Sequence, residues 1–224
     1  MTPSQGLFSA YRGEALIQKA WEQLAAKIHY LSPAEQHSIQ TAALFGAAAH
    51  DGQTRKGDGS PYITHPLAVA AILAELHYDA VLLQSALLHD VLEDTSISPE
   101  EMAKRFGSQV VHIVQGVSKI QKIKESDPRR NQASSFIKML QALIADPRVL
   151  LVKLADRLHN MQTLDAFKRE KQLRIIDETR RVYVELSKKL GMFYFANRLD
   201  DLAFRYEHPW RTAVIQKHYD QNFA

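Results

Sequence analysis

Leu87-Leu88-His89-Asp90-Val91-Leu92-Glu93-Asp94-Thr95 sets one imidazole and three carboxylates within positions 89 to 94. The apolar run Val81-Leu82-Leu83 … Ala86-Leu87-Leu88 leads directly into it. On a helix, residues four apart share a face, so Glu93 is expected over His89 and Asp94 over Asp90. Neighbouring acids repel and are costly to take out of water, so such a cluster is a poor device for stability. A bound cation would resolve the conflict, because imidazole and carboxylate are borderline-to-hard ligands without sulfur. A helix that ends at the surface with its acids in water is the plainer reading. The rest of the chain separates the two.

On either side of this stretch the pattern is helical almost throughout. Towards the N-terminus, Leu67 to about Leu76 reads as a helix opened by Pro66, and Asp79 starts the helix that carries the His-Asp pair. Ser32-Pro33-Ala34-Glu35 is a capping box with proline at the first helical position, opening a helix to about His50 that Gly52 ends. Leu16, Trp21, Leu24 and Ile28 mark an earlier amphipathic helix. Towards the C-terminus, Ser98-Pro99-Glu100-Glu101 opens a short helix ended by Gly107, and Ser108 caps another. Lys119 to Ser134 is polar and reads as a loop. Helices are then expected over 136–145, 148–158, 170–190 and 192–206, with Pro209 opening a last one. No repeat and no strand ladder is evident. The expected fold is a single all-α domain, with 1–31 as an N-terminal helical extension, 32–206 as its body and 207–224 as a helical tail.

At 224 residues, 46% apolar and 24% charged, the chain can bury a substantial core. It has no run of about 18 apolar residues, so no transmembrane helix is expected. Met1 to Gly13 lacks a basic start followed by an apolar stretch, so no signal peptide is expected either. Cysteine is absent, which excludes disulfides and thiolate metal sites and fits a cytoplasmic protein. The net charge of +3 is spread along the chain rather than gathered in a stripe, which argues against a nucleic-acid partner. A small polyanion needs only a local basic pocket.

Three further stretches bear on the opening motif. Tyr62-Ile63-Thr64-His65-Pro66 puts a histidine at the mouth of a helix, either as a polar cap or as a ligand. Leu150-Leu151-Val152-Lys153-Leu154-Ala155-Asp156-Arg157 sets an aspartate behind an apolar run, either as a ligand or in an ion pair with the adjacent Arg157. Gln53-Thr54-Arg55-Lys56-Gly57 places a basic pair on a glycine-rich loop. Together, His65, His89-Asp90 and Asp156 make the histidine, histidine-aspartate and distant aspartate set of HD-type metal-dependent phosphohydrolases.

The resemblance extends further. Gly52 to Lys56, Pro61 to Pro66, Leu88 to Thr95, Gly116-Val117-Ser118-Lys119 and Val152 to Leu164 resemble the hydrolase domain of the RelA/SpoT homologues, in order and without large gaps. Those enzymes make or degrade the alarmone (p)ppGpp. The resemblance implies one Mn²⁺ held by His65, His89, Asp90 and Asp156, with Glu93 and Asp94 as catalytic acids. It also implies Arg55 stacked on the guanine with Lys56 beside it, and Asn160 and Thr163 on the nucleoside. Lys119 and Lys138, with Lys122 and Lys153, are available to balance phosphate charge, and His50 reads as a helix-end residue. The implied reaction is hydrolysis of the 3′-pyrophosphate of a small nucleotide substrate.

Two stretches depart from the family pattern. Ile137 stands where arginine is usual before Lys-Met, and Glu185 to Gly191 replaces Pro-Leu-Ala-x-Arg-Leu-Gly. The chain is expected to be a small hydrolase-only protein or the N-terminal domain of a bifunctional enzyme. The second departure favours the stand-alone form. Hydrolysis of (p)ppApp or NADPH, and a non-catalytic alarmone sensor, are the competing expectations.

Overall fold

The computed structural model describes residues 6–121, 137, 139–141 and 143–223. These residues form helices α1 (Glu14–Ala25), α2 (Pro33–Ala49), α3 (Thr64–Glu75), α4 (Ala80–Leu87), α5 (Val91–Asp94), α6 (Pro99–Phe106) and α7 (Ser108–Gln121). After them come α8 (Pro147–Gln162), a 3₁₀ turn (Leu164–Ala166), α9 (Arg169–Glu178), a π-helical stretch (Thr179–Val184), α10 (Glu185–Lys189), α11 (Phe193–Glu207) and α12 (Pro209–Phe223). Between α7 and α8, the described residues from 137 to 145 are helical. Among the described residues there is no strand, only one antiparallel bridge between Thr54 and Pro61. The fold is all-α, as the sequence implies.

Helices α3 and α4 form the centre, flanked by α1, α2, α7 and α8, while α11 closes over α8 and the π-helical stretch. Leu67, Leu73, Leu82, Leu83, Leu87 and Leu88 are fully buried. Gly46 lets α2 approach the end of α4: a Cβ there would lie 2.9 Å from Ile63 Cδ1 and 3.3 Å from the Leu87 carbonyl. Phe8, Ile17, Leu24 and Ile28 of the N-terminal extension bury into this same core.

Local chemistry explains where the helices begin. The Ser32 side chain accepts from the Glu35 N–H while Glu35 reaches back to the Ser32 N–H, the reciprocal cap expected. Asp79 accepts from the Leu82 N–H, and Ser98 from the Glu101 N–H. Helix α3 starts three residues earlier than expected, at Thr64. The turn Pro61–Ile63 already accepts the Thr64, His65 and Leu67 N–H groups. Pro66 therefore sits third in the helix, where its missing N–H costs nothing.

Another correction concerns the opening motif. Helix α4 does not run through it but stops at Leu87, and Leu88–Asp90 form a turn before α5. The Leu88 N–H bonds back to Gln84, and the Val91 N–H to Leu88. Adjacent residues on an α-helix point about 100° apart. The turn is what lets His89 and Asp90 converge. In the C-terminal half, the segment expected as one helix over 170–190 is divided by the π-helical stretch. Lys119 belongs to the last turn of α7, and positions 122 to 136 lie outside the described residues.

Candidate metal centre and nucleotide cavity

His65, His89 and Asp156 are buried, and one ligand atom from each lies within 4.8 Å of the others. They come from the first turn of α3, the turn after α4 and the middle of α8. His65 Nε2 is 3.3 Å from Asp156 Oδ1 and 3.9 Å from Asp90 Oδ2. His89 Nε2 is 3.1 Å from the same Asp90 oxygen. All four groups expected as ligands meet in one place.

The hydrogen bonds behind these groups fix which atoms face inward. His89 Nδ1 lies 2.8 Å from the Ala86 carbonyl and must donate to it, so Nε2 faces the acids. That buried Nε2 has no aligned hydrogen-bond partner. Burial lowers the His89 pKa, but the charges of Asp90 and then Asp156 outweigh it and push it up to about 9. A divalent cation would take the place of that proton. Burial would raise Asp90 and Asp156, yet His89 holds the first low, and Lys153 with His65 holds the second low. Carboxylates kept ionised, an imidazole nitrogen turned towards them and a set free of sulfur suit a divalent cation.

Asp156 is braced from its own helix. Lys153 Nζ donates to Oδ2 at 2.6 Å, and Asn160 Nδ2 donates to Oδ1 at 2.5 Å. The adjacent Arg157 is not its partner: that guanidinium turns away to Glu178 at 3.0 Å and the Tyr183 hydroxyl at 2.9 Å. His65 Nδ1 lies 2.8 Å from His159 Nδ1. Burial, then His65 and Arg55, push His159 down to about 3, so it is neutral at ordinary pH and can accept from His65. His65 Nε2 is then left with its lone pair facing the acids.

His65, Asp90 and Asp156 line a cavity of about 620 Å³, within the range of small-molecule sites, and His89 is buried behind them. Arg55, Lys56, Glu93, Asp94, Lys153, Asn160 and Thr163 line it. Arg55 is carried by a tight loop whose ends meet at the Thr54–Pro61 bridge, with Arg55 N–H bonded to Ser60 at 2.8 Å. The loop presses on the 3₁₀ turn: a Cβ on Gly57 would lie 2.4 Å from Ala166 Cβ. From there Arg55 Nη2 reaches Thr163 Oγ1 at 3.0 Å. Asp94 lies over Asp90, as the spacing implied, with its N–H on the Asp90 carbonyl at 2.9 Å. Glu93 belongs to α5 and does not share a helix with His89.

Lys119 is not among the residues lining the cavity and is exposed on α7. It stands two positions, about 200°, round the helix from the buried Val117. Lys138 and Lys122 lie outside the described residues. Ile137, at the first departure from the family pattern, is 54% exposed. His50 caps the C-terminal end of α2, the helix-end place expected, but it is also buried against the Tyr62 ring. Tyr62, His159 and Gln53 were not singled out by sequence reasoning. Their contacts to the site are tertiary, and the only available signal was membership of the quoted stretches.

Residues 42–193 match the HD domain family, and the chain belongs to it. The bifunctional (p)ppGpp synthase/hydrolase SpoT of Escherichia coli K12 is 44% identical over 188 residues, covering 84% of this chain and 27% of that protein. The guanosine-3′,5′-bis(diphosphate) 3′-pyrophosphohydrolase of Haemophilus influenzae is 47% identical over 169 residues, 75% of this chain and 25% of that one. The chain thus spans about a quarter of these relatives. Among solved structures, a metazoan orthologue of SpoT that hydrolyses ppGpp is similar with a TM-score of 0.56 and 26% identity, over 76% of this chain and 95% of that one. No helix among the described residues is long and apolar enough to cross a membrane.

Proposed function

We propose that the protein is a Mn²⁺-dependent 3′-pyrophosphohydrolase that converts (p)ppGpp to GDP or GTP and pyrophosphate. One observation carries this reading: His65, His89, Asp90 and Asp156 converge beside a cavity lined by Arg55, Glu93, Asp94, Asn160 and Thr163. Relatives named for this reaction share close to half of the matched residues. We assign the catalytic unit to 32–206, with 1–31 as an extension and 207–224 as a tail.

The four ligands would hold the cation, which when bound polarises a phosphoryl oxygen and lowers the pKa of its water from about 15.7 towards about 7. Arg55 stacks on the purine, a contact of roughly 0.5–2 kcal/mol, while Thr163 holds its guanidinium in place. Lys56 balances phosphate charge at the cavity rim, and Asn160 and Thr163 contact the nucleoside. Glu93 and Asp94 divide the proton work. One positions and deprotonates the attacking water; the other protonates the ribose 3′-oxygen as its bond to phosphorus breaks. Lys153, held by Asp156, offsets negative charge beneath the phosphates.

A comparison of purified protein on ppGpp, ppApp and NADPH tests the substrate. Turnover of ppGpp at least tenfold faster than of the other two is expected. Preference for the adenine compounds would overturn the assignment, because stacking on Arg55 suits any purine. Binding without turnover of any of them would make the protein a sensor.

A further inference from the structure

Tyr62 stands three residues before His65, in the loop that closes on the cavity. Its hydroxyl lies 2.6 Å from Asp90 Oδ2 and 3.2 Å from Asp94 Oδ2. One oxygen therefore touches a carboxylate of the ligand cluster and a carboxylate of the acid pair. The ring packs on buried His50, with centroids 4.6 Å apart and planes at 34°. His50 in turn bonds Gln53 through Nδ1 at 3.0 Å, and Gln53 Nε2 donates to the Asp94 carbonyl at 2.9 Å. The Tyr62 N–H closes the unit by donating to the Gln53 carbonyl at 3.0 Å. One loop thus grips Asp94 twice, by its backbone and by its side chain.

Asp94 needs this grip. It ends a helix of only four residues and is exposed, so its carboxylate would otherwise rotate in water. Packing on His50 requires only the aromatic ring, and a phenylalanine would supply it. The hydroxyl adds a donor, aimed at the two acids. We infer that Tyr62 is a positioning residue whose hydroxyl locks the Asp94 carboxylate against Asp90. This fixes the distance between the acid and the cation site. The inference rests on the phosphohydrolase reading above and deepens it by naming what holds the acid.

The variant Tyr62→Phe keeps the ring and removes the hydroxyl. With ppGpp at saturating Mn²⁺, kcat should fall about tenfold or more while KM stays within twofold. Made on Asp94→Asn, the same change should cost less than twofold further, since the hydroxyl then has no acid to place. A kcat within twofold of wild type would overturn the inference, as would an equal loss in the Asp94→Asn background. Crystal structures of both proteins with Mn²⁺ test it without turnover. Asp94 should sit on the Tyr62 hydroxyl in the wild type and turn to solvent in Tyr62→Phe. An Asp94 turned away in the wild type would overturn the inference. A wild-type protein that leaves ppGpp intact defeats the substrate reading instead, and the two crystal structures then decide the inference.

Discussion

Lys153 Nζ lies 2.6 Å from Asp156 Oδ2, one helical turn away on α8, and both groups are buried. The other oxygen of that carboxylate, Oδ1, is 3.3 Å from His65 Nε2. Asp156 therefore joins a fixed ammonium on one side to the cation cluster on the other. Asp156→Ala removes a ligand and also strands a buried positive charge, which costs about 3–5 kcal/mol. The variant should purify without metal and melt well below wild type. Full metal occupancy by elemental analysis would exclude Asp156 as a ligand.

Glu93 and Asp94 line the cavity beside the cluster. Glu93→Ala and Asp94→Ala should each lower kcat by about 10²–10⁴-fold, the usual size of a lost proton-transfer group. Nucleotide should still bind, as measured by calorimetry. Undiminished turnover in both variants would remove their catalytic assignment.

Arg55 and Thr163 meet at 3.0 Å although 108 positions apart in the chain. Arg55→Ala should raise KM by about 2–30-fold, the equivalent of roughly 0.5–2 kcal/mol of stacking. Mn²⁺ affinity should be unchanged. Arg55→Lys should not restore KM, because an ammonium lacks the planar face. Full rescue by lysine would reduce the role of Arg55 to charge alone.

In the metal-free protein Asp90 and Asp156 hold His89 up to about 9, against the opposing effect of burial. A cation must displace that proton, so apparent Mn²⁺ affinity should rise about tenfold per pH unit up to about pH 9. The stability of the metal-free protein should move the other way. Its native pKa exceeds the unfolded value of about 6.5, so this contribution is full below pH 6.5 and is lost as pH rises through about 9. Titration calorimetry in buffers of different ionisation enthalpy would detect the released proton. A pH-independent affinity without proton release would contradict the prediction.

The all-α fold was legible because each helix carries its own local signals. The reciprocal cap at Ser32 and Glu35 and the cap at Ser98 need only neighbours in sequence. The four positions proposed as ligands, which the structure brings together, were legible as a pattern of residue types whose order matched a known family. The break at Leu88–Asp90 was not, because the apolar Ala86-Leu87-Leu88 enters it and neither glycine nor proline marks it. Pro66 was read as the helix start because the preceding turn at Pro61–Ile63, which already accepts the helix's first N–H groups, leaves little local trace. The partners of Arg157 could not be read from the sequence, for another reason. Glu178 and Tyr183 reach it across the fold, while Asp156 merely adjoins it in sequence. Tyr62 and His159 escaped notice for that same reason, since their bonds to the site join residues 28 to 94 positions apart.

Metal-stripped protein incubated with ppGpp, with and without added Mn²⁺ and with products resolved by anion exchange, addresses the cluster and the bond together. GDP and pyrophosphate should appear in equal amounts only when Mn²⁺ is present. Equal product with and without the ion, or release of single phosphates instead of pyrophosphate, would contradict a metal-dependent 3′-pyrophosphohydrolase.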